Sequence, residues 1–406
     1  MLKKIKDIIS SADRSLFRFF GSEKSLKFLQ NIKEAKKVFS CLNEMGEETN
    51  VRFVGGCVRK SLCGESFDDI DLATTLHPEE VIRRLGKENI KFMKRNNIPT
   101  AAFEVFNDAT AAKEYVNETE HNVVVKADGL AAGKGVIVCN NKDEAKDAID
   151  MMLVNKKFGD AGTNIIIEDR IDGVEASYIA LSDGKKVIPM ATSQDHKRVY
   201  DGDNGPNTGG MGAYSPTLAI DEVLSQKIQE KIIDKTITSL RNEGITFKGF
   251  LYAGIMLKDG EPYVLEYNVR MGDPECQPIL MRMNSDLFQY LKACVNDTLE
   301  KMPPISWKNK SAVCVVLASK GYPESYPKGD EISGLDLMYD DAYVFHAGTK
   351  KQNKKIIANG GRVLGVTALG DTLESAIKSA YSVAEKIFWE NKYSRTDIGK
   401  KGLTYL

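Results

Sequence analysis

The sequence predicts a multidomain chain of mixed α/β and α+β class, and three observations carry that expectation. Apolar, β-branched runs such as Val123–Val125, Ile165–Ile167 and Gly249–Leu257 sit beside glycine turns, the pattern of strands and hairpins. Helices are read over Asp221–Glu243, Ser285–Glu300 and Leu373–Trp389, the last opened by Asp371 or Thr372 as an N-cap. At 406 residues, with 42% hydrophobic and 28% charged, the chain has core enough for two or more domains. A net charge of −1 argues against a dedicated nucleic-acid binder. No apolar run approaches the roughly 20 residues of a membrane span. Seven cysteines lie scattered without CxxC pairs, which fits free thiols in a reducing compartment and a cytoplasmic location.

The chain opens on a basic lead. Met1–Ser40 holds ten Lys and Arg against four Asp and Glu, and Leu2–Ile9 and Leu26–Phe39 read as amphipathic helices. Solvated faces are the first reading, RNA contact the second and an organelle transit peptide the third. Arg52-Phe53-Val54 then leads into Gly55, Gly56 and Arg59: a strand and a Gly-Gly turn at a helix start, where a triphosphate can sit. In Phe67–Thr75 a strand places Asp69 and Asp71 on one face, a pair suited to two-metal nucleotidyl transfer. Asp-x-Asp alone is by default an acidic strand end.

The most informative stretch is Val123–Val138. Two β-branched strands flank a turn with Gly129, Gly133 and Gly135, and the loop carries Lys126 and Lys134. Open backbone amides and two ammonium groups suit a polyphosphate. The Walker spacing is absent, and alone the loop reads equally as a surface hairpin with solvated lysines. Ile165–Ile167 runs into Glu168 and Asp169, and beyond Ile171 an Asp-Gly turn precedes Glu175, a carboxylate able to accept bonds from ribose hydroxyls. Further on, Lys197 and Arg198 lead into Gly205–Pro216, where Asn207, Thr208, Gly209 and Gly210 make a second plausible anion cradle. His196 reads as a hydrogen-bonded structural histidine rather than a base.

Gly249–Leu257 and Tyr263–Val269 read as a hairpin across Lys258-Asp259-Gly260-Glu261. Alternation sets Glu266 and Asn268 on one face, oxygen ligands for a hard cation such as Mg2+. Arg270 falls on the same face and can clamp an anion with its planar fork. The hairpin reads as interior, so these polar groups need partners there. The tail reads as strands at Ala312–Ala318, Tyr343–Ala347 and Gly361–Thr367, followed by the last helix.

From about Phe92 onward the chain resembles the phosphoribosylamine–glycine ligases (glycinamide ribonucleotide synthetases) of the ATP-grasp superfamily. The resemblance covers roughly three quarters of the chain in seven ordered blocks: Ile98–Ala101, Lys126–Val136, Met190–Arg198, Gly205–Pro216, Gly249–Gly254, Gly272–Glu275 and Phe345–Lys350. It implies an ATP-grasp domain over 91–305, with a lid subdomain over 114–182, and a C-terminal α/β domain over 306–406. It implies ATP, with Mg2+ or Mn2+ on Glu266 and Asn268, and Lys126 and Lys134 on phosphates beside Gly133 and Gly135. Adenine would lie against the backbone from Glu168 through Asp169 to Ile171, with the ribose on Glu175. The substrates implied are glycine and 5-phosphoribosylamine, joined through glycyl phosphate. Lys197, Arg198, Asn207, Thr208, Gly209, Gly210 and Asp273 would line the substrate, and Arg270 would steady the transferring group. No general base is assigned.

Residues 51–90 instead resemble the truncated head of a tRNA nucleotidyltransferase or bacterial poly(A) polymerase, on Gly55, Gly56, Arg59, Asp69 and Asp71. The switch lies near Gly86–Phe92, and the ligase pattern's Ser-Lys falls on Leu85 and Gly86. The ligase family's opening α/β domain, which helps hold phosphoribosylamine, has no counterpart in residues 1–90. The chain therefore reads as a fusion that binds ATP, metal and glycine but phosphoribosylamine poorly. A truncated nucleotidyltransferase relative and an inactive ATP-binding protein are the alternatives.

Overall fold

A computed structural model describes residues 92–127, 135–158, 163–337 and 339–405, and the backbone of two short strands nearer the start. Those strands, Val51–Val54 (β1) and Asp71–Thr74 (β2), pair antiparallel from Val51↔Thr74 to Val54↔Asp71. Gly55, Gly56, Arg59, Asp69, Gly133, Lys134 and the basic lead fall outside the described residues.

A small unit follows, built from Phe103–Phe106 (β3), helix Ala109–Glu118 (α1), Val123–Ala127 (β4), Val136–Val138 (β5), helix Lys142–Ile149 (α2) and Ile165–Asp169 (β6). Its sheet runs β3-β6-β4-β5. Asp108 caps α1 by accepting from the Ala111 amide at 2.9 Å, and Asn141 caps α2 through Glu144 N at 2.8 Å. Alternate strand residues Val123, Val125, Ile165 and Ile167 meet Ala112, Val116, Ala145 and Ile149 in a core of the unit's own.

Chain order then gives Val174–Ser182 (β7), Val187–Pro189 (β8), Gln194–Asp195 (β9), Arg198–Tyr200 (β10), Asn204–Asn207 (β11) and Gly212–Ser215 (β12). Helices Glu222–Ile228 (α3) and Lys235–Asn242 (α4) join through a π-helical turn at Gln229–Asp234, and Asp221 caps the start through Leu224 N at 2.7 Å. Gly249–Lys258 (β13) and Glu261–Asn268 (β14) form the expected hairpin, with Asp259 and Gly260 at positive φ in its two-residue turn. The central sheet is β14-β13-β7-β8.

Here the structure departs from the lid range of 114–182. The small sheet already begins at Phe103, and β7 pairs with β13 from Gly249↔Ser182 to Leu257↔Val174, outside the small unit. The reason is two-sided burial. Ala176, Tyr178 and Ala180 pack on Ile228, Ile232 and Ile237, while Ile179 and Leu181 pack on the opposite cluster around Tyr290. A strand covered on both faces shows no alternation to betray its sheet.

Helices Cys276–Arg282 (α5) and Leu287–Val295 (α6) lead to Ser311–Ser319 (β15), Ala342–His346 (β16), Thr349–Gln352 (β17), Lys355–Ala358 (β18), Arg362–Gly370 (β19), helix Leu373–Ala384 (α7) and Lys392–Tyr393 (β20). Thr372 rather than Asp371 caps α7, in a reciprocal box with Ser375. The large sheet is β16-β19-β15-β12-β9, with β20 also on β15. The 305/306 boundary is therefore not a boundary of packing, because β9 and β12 hydrogen-bond into the C-terminal sheet. Gly212 permits this approach: a Cβ there would stand 2.6 Å from Ile398 Cγ2 and 2.7 Å from the Cys314 carbonyl oxygen. Among the described residues no helix is long and apolar enough to cross a membrane.

Candidate active site

The hairpin sets the acid and the amide where alternation expects them, with the help of a bulge. Gly254 faces Glu266 but Ile255 faces Val264, so Leu265 is an extra residue in β14. Val264 and Tyr267 consequently both turn into the core, and Glu266 and Asn268 share the other face, with Asn268 Nδ2 at 3.5 Å from Glu266 Oε1. That face is open rather than interior: the Glu266 side chain is 52% exposed. The strand stops at Asn268, so Arg270 lies beyond it, exposed, donating to the Met271 carbonyl at 2.9 Å. Two adjacent oxygen donors, open to solvent, fit a cation that draws its remaining ligands from phosphates and water. Among the described residues no group of three acidic, histidine or cysteine side chains offers a fuller cage.

Lys197 occupies the centre. Its ammonium pairs with Glu175 and lies 3.7 Å from Glu266, joining the expected ribose acid to the expected metal acid. Burial alone would pull Lys197 down, but Glu175, Asp195 and Glu266 carry it well above the ordinary lysine range. Behind it lie two buried acids. Burial pushes Asp195 up to about 8 against the pull of Lys197, with Glu275 and Glu175 adding to the rise. Burial also raises Glu275, which accepts from Ser177 Oγ at 3.1 Å. Tyr252 OH stands 3.0 Å from the same hydroxyl, and burial, Glu275 and Asp195 keep that phenol protonated. The sequence offered Asp195 and Glu275 within Met190–Arg198 and Gly272–Glu275, but a two-residue strand and a helix-entry turn are too short for periodicity to mark their carboxylates as buried.

On the small unit, Lys126 Nζ pairs with Glu168 Oε2 at 2.5 Å, and both side chains are largely covered. Gly135 accepts from the Ala127 amide at 2.7 Å, closing the base of the lysine loop. Asp169 is held by His121 at 2.6 Å, and Ile171 is half-buried just beyond the strand.

The second glycine loop is a joint, not an open cradle. The Gly209 amide donates to Tyr322 OH at 3.1 Å and the Gly210 amide to Thr208 Oγ1 at 2.9 Å, so neither is left for an anion. Arg362 of β19 donates to the Gly209 carbonyl at 2.6 Å, the Asp273 carbonyl at 2.7 Å and Asp273 Oδ2 at 3.0 Å. Gly210 has φ +108° and abuts Pro274, which leaves no room for a side chain. Arg198 donates to the Gly205 carbonyl at 2.6 Å, and Asn207 pairs with Arg198 across β10 and β11. His196 is buried, accepts from the Gly399 amide at 3.3 Å, and is driven down to about 3 by burial and by Lys401 and Arg395. It is neutral and structural, as expected.

Residues 87–276 match the family model described as phosphoribosylglycinamide synthetase, ATP-grasp (A) domain, and residues 312–401 match that of its C domain. A phosphoribosylamine–glycine ligase of Vibrio parahaemolyticus is 49% identical over 314 residues, 77% of this chain and 73% of the relative. The chain belongs to the phosphoribosylamine–glycine ligase family. A ligase of that name from Neisseria meningitidis serogroup B gives 49% identity over 77% of this chain and 74% of its own. The crystal structure of the Thermotoga maritima ligase superposes with TM-score 0.70 at 36% identity, covering 77% and 78% of the two chains. A biotin carboxylase domain from Hydrogenobacter thermophilus, crystallised with MgADP, shares the fold alone, with TM-score 0.59 and 15% identity over 78% and 67%. The family match begins at residue 87, inside the sequence window that set the junction at Gly86–Phe92.

Proposed function

We propose that this chain is the ATP-dependent carbon–nitrogen ligase of purine biosynthesis that joins glycine to 5-phosphoribosylamine, giving glycinamide ribonucleotide. The observation that carries it is the single cluster of Glu266, Asn268, Lys197 and Glu175 within a family member of this identity. Glu266 and Asn268 would hold Mg2+ or Mn2+, which when bound neutralises the phosphate charge. Lys126, with Lys134 from the same loop, would hold phosphates, the Glu168–Ile171 backbone would face adenine, and Glu175 would take the ribose. A glycine carboxylate oxygen attacks the γ-phosphorus and ADP leaves. The amine nitrogen then attacks the acyl carbon of glycyl phosphate, phosphate leaves and the nitrogen releases a proton. Such transfers need positioning and charge neutralisation more than a general base. Lys197 and the exposed Arg270 supply positive charge at that point. The unit carrying β3–β6 would act as the lid, and Arg362, through Asp273 and Gly209, would tie the C-terminal sheet to the substrate loops. The nucleotidyltransferase-like reading of residues 51–90 rests on sequence alone and adds no step.

The test is glycine-dependent ADP release with and without phosphoribosylamine. ATP bound without glycine-dependent release would refute the ligase reading. Amide formed at an ordinary rate of about 1–1,000 per second would instead remove the expectation that phosphoribosylamine binds poorly.

Lys126→Ala should weaken ATP binding about ten- to a hundredfold, the effect of losing one charge-assisted contact of about 1.5–3 kcal/mol. Titration calorimetry reads this directly. An unchanged dissociation constant would make the Glu168 pair the whole role of Lys126.

A further inference from the structure

Four carboxyl groups, of Glu175, Asp195, Glu266 and Glu275, surround the ammonium of Lys197, and the Lys401 ammonium acts on Asp195 from the other side of the residue's backbone carbonyl. Their partners are unequal. Glu175 has Lys197 itself, Glu266 lies beside Lys197 and Asn268, and Glu275 accepts from Ser177. Asp195 is 8% exposed, and among the described residues no hydrogen bond or ion pair reaches its carboxylate; Lys401 takes only its backbone carbonyl, at 3.0 Å. The β9 pairing to Ala213 and Tyr214 fixes the backbone that presents it. A buried carboxylate without a donor is costly unless a donor arrives with the substrate.

We propose that Asp195 receives the α-ammonium group of the amino-acid substrate. This rests on the ligase reading above. Of the two substrate nitrogens, the attacking amine must be uncharged to act as a nucleophile. The α-ammonium stays protonated throughout and is the one suited to a fixed carboxylate. With the ammonium on Asp195, the same molecule's carboxylate lies toward Lys197 and the face of Glu266, where phosphoryl transfer takes place. Asp195 then sets specificity: a hydroxy acid of equal size brings no charge to it.

The experiment compares glycine with glycolate in ATP-dependent ADP release by the full chain and by Asp195→Asn. The parent should favour glycine by about 10⁴-fold, the scale set by a site whose polar group is left unpaired by the wrong substrate. In Asp195→Asn, kcat/KM for glycine should fall about a hundredfold while glycolate use and the Mg-ATP dissociation constant stay within about threefold, so discrimination collapses. Unchanged discrimination in the variant overturns the proposal. So does a weakened Mg-ATP complex with an unchanged glycine KM, which would assign Asp195 to the metal. Should Asp195→Asn fail to fold, Asp195→Ser is the second variant, with the same expected collapse of discrimination between glycine and glycolate; unchanged discrimination there overturns the proposal. A parent that binds ATP but releases no ADP with either acid refutes the ligase reading itself.

Discussion

Glu266→Gln should abolish useful turnover while leaving the fold in place, with a loss of roughly 100- to 1,000-fold in kcat, the scale of removing one fixed electrostatic contact from a transition state. The substitution keeps the shape of the side chain. The position is 52% exposed, so little burial changes, and stability should stay within about 0.5 kcal/mol. What is lost is one of two oxygen donors on the open face of β14 and the charge that Lys197 faces at 3.7 Å. Mg-ATP should bind more weakly, whereas ATP without metal should bind as before. Steady-state rates and calorimetry with and without Mg2+ separate these effects. Parent-rate turnover would show that Glu266 is no ligand.

How much of this site the sequence displays follows from how local each feature is. The 249–268 hairpin was legible because its turn chemistry and the spacing of Glu266 and Asn268 lie within a few residues. Its openness was not, because the apolar run Gly249–Leu257 made the hairpin look interior, whereas the face of β14 that carries Glu266 is open and only Val264 and Tyr267, on either side of the Leu265 bulge, turn into the core. For Arg270 the period of two lends no support, because it holds only while the strand lasts and this strand ends at Asn268. Gly209 and Gly210 looked like an anion cradle because glycine marks close approach without saying to what. Here one Cβ would meet the Arg362 guanidinium and the other Pro274. The place of β12 in the C-terminal sheet was hidden for another reason. Its partner β15 lies about a hundred residues away, and a long-range pairing leaves no mark on either strand.

Arg395→Met should cost the C-terminal unit about 2–4 kcal/mol, somewhat less than the 3–5 kcal/mol of a fully buried broken pair, because its acceptors are partly wet. The Arg395 side chain is 1% exposed, while those of Asp397 and Asp203 are 23% and 48% exposed. Its fork holds both Asp397 oxygens at 2.7 Å, and Nη1 reaches Asp203 at 2.8 Å and the Arg198 carbonyl at 2.9 Å. The tail is thereby fixed to the segment that follows Lys197, so the loss should also loosen Lys197. Lysine at 395 should rescue only part, since a point charge cannot reproduce the fork. The pH dependence identifies the cause. Burial alone would raise Asp397, but bonds from Arg395 and the Gly202 amide outweigh it and hold the carboxyl well below its ordinary range. Asp203 is also depressed, by Lys401 and Arg395 against burial. A carboxyl depressed in the folded state contributes stability above its unfolded pKa of about 3.9, and that stability drains as pH falls toward the folded value. Denaturation of the parent between about pH 5 and pH 2 should therefore show a steep loss that is shallower in Arg395→Met. Equal slopes in the two proteins would mean that Arg395 does not depress these acids, whatever its effect on stability at neutral pH.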